Sequence, residues 1–212
     1  MLTILFIALA VLSAILHMRA EYYGPRSHVY IFKPLTMLFI ILVALEDRTH
    51  GISFYKYMIV AGLLCSLAGD IFLMLPSDRF VAGLSSFLIA HLFYIAAFSS
   101  STRADSAMSL LAALPFLLYG SVMLWILFPH LGRMKTPVLI YMLVILLMAW
   151  QALNSWMTNM QPGTLLAFLG ALLFVASDSL LALNRFRHPF RSAHLLILST
   201  YFTAQCLIAL SV

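Results

Sequence analysis

Asp70 and Asp178 occupy the same position in two matching stretches, GLLCSLAGDIFLML at 62–75 and GALLFVASDSLLAL at 170–183, where six of fourteen aligned residues are identical. A carboxylate inside an apolar helix costs about 2.5–3.5 kcal/mol on insertion scales, so it marks a polar site rather than an accident of composition. Two such acids in matched positions point to catalysis within a membrane. One carboxyl can donate a proton while the other activates water.

Other polar side chains fall in the apolar runs at helical spacing. His91 and Tyr94 lie three apart, and His194, Tyr201 and Gln205 follow at intervals of seven and four, each set on one helix face. Arg185 lies two turns beyond Asp178, next to Asn184, and Lys33-Pro34 is expected to open a helix at its cytoplasmic end. Gly62, Ser66 and Gly69 are small residues that let a neighbouring helix approach the segment around Asp70. Each polar residue has a plainer reading. An intramembrane Tyr or Gln is more often an interhelical hydrogen-bonding residue than a catalyst, His194 reads as solvated near the interface, and Lys33 could snorkel to headgroups. The two acids stand apart, because neither has a basic partner one helical turn away in sequence.

The elements that must position these residues follow from composition. Hydrophobic residues make up 64% of the 212-residue chain and charged residues 9%, and mean hydropathy is +1.04. Apolar runs bounded by charges or turn residues predict eight transmembrane helices near 2–18, 33–46, 57–75, 80–99, 107–128, 136–157, 163–184 and 192–211. The fold class is therefore an all-α integral membrane bundle in a single domain, 1–212. The +5 net charge reflects loop residues that orient helices and meet lipid headgroups, so no nucleic-acid partner is expected. Cys65 and Cys206 read as small buried hydrophobes. No metal-binding spacing occurs, and no cofactor is expected.

Counting Lys and Arg by loop gives nine in the odd-numbered connections (Arg19, Arg26, Lys33, Arg79, Arg133, Lys135, Arg185, Arg187, Arg191) and three in the even ones (Arg48, Lys56, Arg103). That asymmetry places the odd connections in the cytoplasm and both termini outside. The 108 residues between Asp70 and Asp178 carry the third helix onto the seventh in the same direction. This predicts a 4+4 parallel repeat with halves near 1–105 and 106–212. A weaker echo pairs FKPLTMLFIILV at 32–43 with KTPVLIYMLVIL at 135–146. At this level an enzyme, a proton-coupled transporter using the acids, and a non-enzymatic lipid-binding protein all remain open. A transporter should show broken helices around the site.

The ordered set Lys33-Pro34, Gly69-Asp70, Gly83…Phe87…His91…Tyr94, Ser177-Asp178…Asn184-Arg185-Phe186 and Tyr201…Ala204-Gln205 resembles the YhhN family, the lysoplasmalogenases, over nearly the whole chain. The resemblance implies a polytopic membrane hydrolase. Such an enzyme cleaves the vinyl ether of lysoplasmalogens to a fatty aldehyde and glycerophospho-ethanolamine or -choline, with Asp70 and Asp178 as its catalytic acids. By position, Lys33, His91, Tyr94, Asn184, Arg185, Tyr201 and Gln205 are the expected substrate-binding residues, with Lys33 and Arg185 on the phosphate. The expected setting is a bacterial inner membrane with the site open to the cytoplasmic leaflet, and the expected partners are the lysophospholipid and membrane lipid. The oligomeric state is left open.

Overall fold

The computed structural model describes residues 1–46, 53–77, 79–100, 102 and 107–212, with the side chains of 107 and 108 excepted. Arg48, Asp78, Arg103 and Asp105, together with the expected boundary between residues 105 and 106, lie outside the described residues.

Eight helices long and apolar enough to span a membrane account for most of the chain, and no strand occurs among the described residues. They are α1 (Leu2–Tyr23), α2 (Arg26–Leu45), α3 (Phe54–Met74), α4 (Phe80–Ser99), α5 (Ala107–Leu127), α6 (Lys135–Asn159), α7 (Pro162–Ala182) and α8 (Ala193–Leu210). At 1.5 Å per residue, 18–25 residues cover about 27–38 Å, enough to cross the hydrocarbon core. Local chemistry fixes the ends. Ser53 caps α3 by accepting from Lys56 N at 3.3 Å, and α7 starts with Pro162 behind a reciprocal Gln161–Thr164 capping box. α6 stops at Met160 in the left-handed region, φ 50°.

Three boundaries depart most from expectation, the first being the end of α1, which runs on to Tyr23 rather than stopping at residue 18. α2 begins at Arg26 rather than at residue 33, so Lys33-Pro34 lies two turns inside it. A transmembrane helix tolerates an interior proline where neighbouring groups re-satisfy the freed backbone. After Ala182 the chain winds into a π-helical turn, Leu183–Arg187, before reaching α8.

The helices pack as α1 on α2, α3 on α4 and α7 on α8, with α4 crossing α6 and α2 meeting α8. Glycines set the close approaches. A Cβ on Gly62 would lie 2.3 Å from the Tyr94 ring, and one on Gly170 would lie 2.9 Å from Ala204 O. Ser13 and Thr36 both reach Phe32 O, at 3.1 and 2.8 Å, tying α1 to α2. Large apolar side chains such as Leu111, Leu118, Trp125 and Leu143 point outward, as a lipid-facing surface requires.

Candidate active site

Each acid stands four residues before the end of its α-helix, Asp70 before Met74 and Asp178 before Ala182. Helical geometry therefore sets both about 6 Å from those ends. α3 runs unbroken through Asp70, and α7 runs unbroken through Asp178. Pro76, which could have interrupted the third helix, lies past its end.

The two carboxylates line one cavity of about 640 Å³. Its deep wall carries Lys33, Asp70, Phe87, Asp178 and Tyr201, and its mouth carries Glu21, Arg26, Tyr30, Asn184 and His194. Arg26 and His194 are exposed, so the cavity reaches the surface formed by the 1–2, 3–4 and 7–8 connections. Smaller apolar clefts also reach Asp178. One is lined by Leu73, Phe80, Leu84, Val138, Leu181 and Phe186.

The acids are held differently. Asp70, 2% exposed, makes an ion pair with Lys33 Nζ at 3.0 Å, and the Tyr201 hydroxyl donates to its Oδ2 at 2.6 Å. Asp178 accepts a hydrogen bond from the Tyr141 hydroxyl. One carboxylate thus has a cation and a phenol, the other a phenol. Lys33 and Tyr141 each stand 37 residues before the acid they meet. The basic partner of Asp70 that is missing from its own helix comes from α2.

The substrate-binding residues expected from sequence divide into three groups. Lys33 and Tyr201 reach the cavity, but both are engaged with Asp70. Asn184 also lines it, with Oδ1 accepting from Phe190 N at 3.2 Å, which folds the turn before α8. Arg185 does not line it, and its guanidinium stacks 4.5 Å from the Phe80 ring centre. The π-turn explains this. Continued α-helix would have kept Arg185 on the face of Asp178, and the wider turn shifts that register. His91, Tyr94 and Gln205 lie behind the cavity, each with no exposed surface. The Tyr94 hydroxyl donates to Gln205 Oε1 at 2.8 Å, and His91 packs edge-on against Tyr141 and Phe174.

Sequence reasoning missed His17, Glu21 and Tyr141 and counted Arg26 only as a topology signal. Tyr141 had a signal. It stands 108 residues after Lys33, the same offset that separates the acids. His17 and Glu21 lie four apart on α1, which would have placed them on one face. Among the described residues no cluster of three metal-ligating side chains occurs.

The sequence model of the YhhN family matches residues 28–212. The uncharacterized membrane protein YhhN of Escherichia coli O157:H7 is 31% identical over 208 residues, 97% of each chain. Human lysoplasmalogenase TMEM86B is 38% identical over 157 residues, 74% of this chain and 64% of its own length. Human lysoplasmalogenase TMEM86A is 35% identical over 188 residues, 84% of this chain and 74% of its own. No solved structure matches.

Proposed function

The chain belongs to the YhhN family, and from that premise we propose that it is a membrane lysoplasmalogenase working through Asp178 as general acid and Asp70 as general base. The carrying observation is the pair of differently held carboxylates on one intramembrane cavity. Relatives named lysoplasmalogenase support the reaction class. The unbroken helices through both acids lend no support to a transporter reading.

The residues fit the chemistry as follows. Lys33 Nζ and the Tyr201 hydroxyl give Asp70 a counter-ion and a donor, contacts suited to a carboxylate that acts as base. Asp178 has a neutral donor on one oxygen, so the other is available to carry the proton. Asp178 protonates the alkenyl carbon beta to the ether oxygen, and positive charge develops as an oxocarbenium ion. Water adds to the cationic carbon bonded to the ether oxygen as Asp70 takes a proton from it, and the carboxylate left on Asp178 offsets the charge. The hemiacetal then collapses. Its hydroxyl proton returns to Asp178, the carbon–oxygen bond to glycerol breaks, and Asp70 returns its proton to the departing oxygen. Both acids end as they began, with a fatty aldehyde and a glycerophospho alcohol as products. The apolar clefts beside Asp178 receive the alkenyl chain.

The two halves are also read as a duplicated 4+4 unit within one domain. Gly62 and Gly170 share the 108-residue offset of the acids, as do Lys33 and Tyr141. Each glycine faces the helix that follows its own. The cell membrane of a bacterium is the proposed location, with the cavity mouth on the cytoplasmic side and both termini outside.

The test is incubation of the purified protein in detergent with a lysoplasmalogen and with its saturated ether analogue, measuring fatty aldehyde. Release from the first substrate alone supports the reading, and no release from either sinks it. Asp70→Asn and Asp178→Asn should fold and express yet lose roughly a hundred- to ten-thousand-fold in turnover, the usual contribution of a positioned acid or base. Near-normal turnover in either variant refutes the paired-acid scheme.

A further inference from the structure

We propose that the cavity mouth reads a zwitterionic phospholipid headgroup, with Arg26 receiving the phosphate, Glu21 receiving the ammonium, and Glu21 thereby setting headgroup selectivity. The inference rests on the lysoplasmalogenase reading for its substrate class, but on separate residues.

The phosphate role first expected of Lys33 and Arg185 is open to neither, since one is bound to Asp70 and the other stacks on Phe80 outside the cavity. Arg26, at the start of α2, is the arginine that lines the mouth. It stands two turns from Lys33, about 10 Å along the helix, a span that the arginine side chain and a glycerol phosphate bridge together. A phosphate at Arg26 therefore leaves the glycerol end of the lipid beside Asp70 and Asp178.

Glu21 is the acid on that mouth. A site for phosphate alone has no use for a carboxylate, which repels the ligand. A site for phosphate joined to an ammonium needs one of each sign. His194 Nδ1 meets Glu21 Oε1 at 3.2 Å, which orients the acid and leaves its second oxygen for a ligand. The rim is built rather than loose. The Tyr22 hydroxyl donates to Arg191 O at 3.1 Å and accepts from Leu195 N at 3.2 Å, pinning the end of α1 to the start of α8.

His17 supplies an independent sign of a ligand. It lies one turn below Glu21 on the same face of α1 and lines the cavity at 1% exposure. Its Nδ1 finds no hydrogen-bond partner among the described residues. A buried polar nitrogen left unsatisfied is costly, and a glycerol hydroxyl below the headgroup would satisfy it.

The experiment uses the purified full chain in detergent. Saturated alkyl-ether lysophosphatidylethanolamine and alkyl-ether lysophosphatidic acid of equal chain length are titrated by thermophoresis. The wild-type protein should bind the ethanolamine lipid about tenfold more tightly, the effect of one charge-assisted hydrogen bond. Glu21→Gln should bring the ratio to about one by weakening the ethanolamine lipid. Glu21→Asp, which keeps the charge, should retain most of the preference. Arg26→Ala should weaken both lipids together. Melting temperatures of the unliganded variants identify any that fail to fold, and Glu21→Asp then carries the comparison. An equal ratio in the wild type, or one unmoved by Glu21→Gln, overturns the proposal. Aldehyde release from the vinyl ether substrate is followed in parallel. If the headgroup ratio behaves as expected without aldehyde, the headgroup site stands and the enzymatic reading fails. If aldehyde is released and Glu21→Gln leaves the ratio unchanged, the headgroup site alone fails.

Discussion

Lys33 and Tyr141 do the same job for the two acids with different chemistry, and that difference is open to measurement. Lys33→Met removes a cation 3.0 Å from a carboxylate that is 2% exposed. Stripping one member from a buried ion pair leaves the other charge uncompensated. The variant should therefore lose turnover and thermal stability together. A phosphate-binding lysine would have raised the Michaelis constant alone. Tyr141→Phe removes a neutral donor and should lower turnover about tenfold with a smaller loss of stability. Steady-state kinetics beside melting curves separate these outcomes, and a Lys33→Met effect confined to the Michaelis constant would restore the phosphate role. The acids themselves were legible in the sequence, because an ionisable group in an apolar run stands out whatever surrounds it. Their partners were harder to see. An ion pair between α2 and α3 leaves no mark on either helix alone, and Pro34 read as the start of a helix hid the depth of Lys33.

At the scale of elements, glycine spacing explains how polar side chains are brought to one place. Gly62 lets Tyr94 lie against α3, where its hydroxyl reaches Gln205, and Gly170 lets α7 approach the backbone of α8. Gly62→Ala and Gly170→Ala should each destabilise the protein by about 1–3 kcal/mol, the usual cost of overpacking a close contact. Thermal unfolding in detergent checks this, and unchanged midpoints would show that the helices can separate freely. Helix number and most boundaries were readable from hydropathy, since lipid imposes both length and polarity on a spanning segment. The π-turn at Leu183–Arg187 was not. It depends on how α7 hands over to α8, and it removed Arg185 from the site that straight helical counting had assigned to it.

For the molecule as a whole, charge asymmetry makes a prediction independent of the chemistry. With Lys33 set aside inside α2, eight basic residues lie in or beside the odd-numbered connections against three at the even ones, so alkaline phosphatase fused after Val212 should be active in a bacterial host and a fluorescent protein fused there should stay dark. The reverse pattern would place the cavity mouth on the opposite leaflet. The mouth itself was not legible, because Glu21, Arg26 and His194 come from α1, α2 and α8 and meet only once the bundle closes. The pairing of Lys33 with Asp70 bears on how the protein is made. The two residues sit on consecutive helices of opposite direction, so each arrives in the bilayer with its counter-ion alongside, near the open end of the hairpin. Asp178 likewise travels with Tyr141. Tyr201 is supplied by α8, so a ribosome must release the chain through that helix before Asp70 gains its second donor, and a nascent chain stopped short of α8 should be inert.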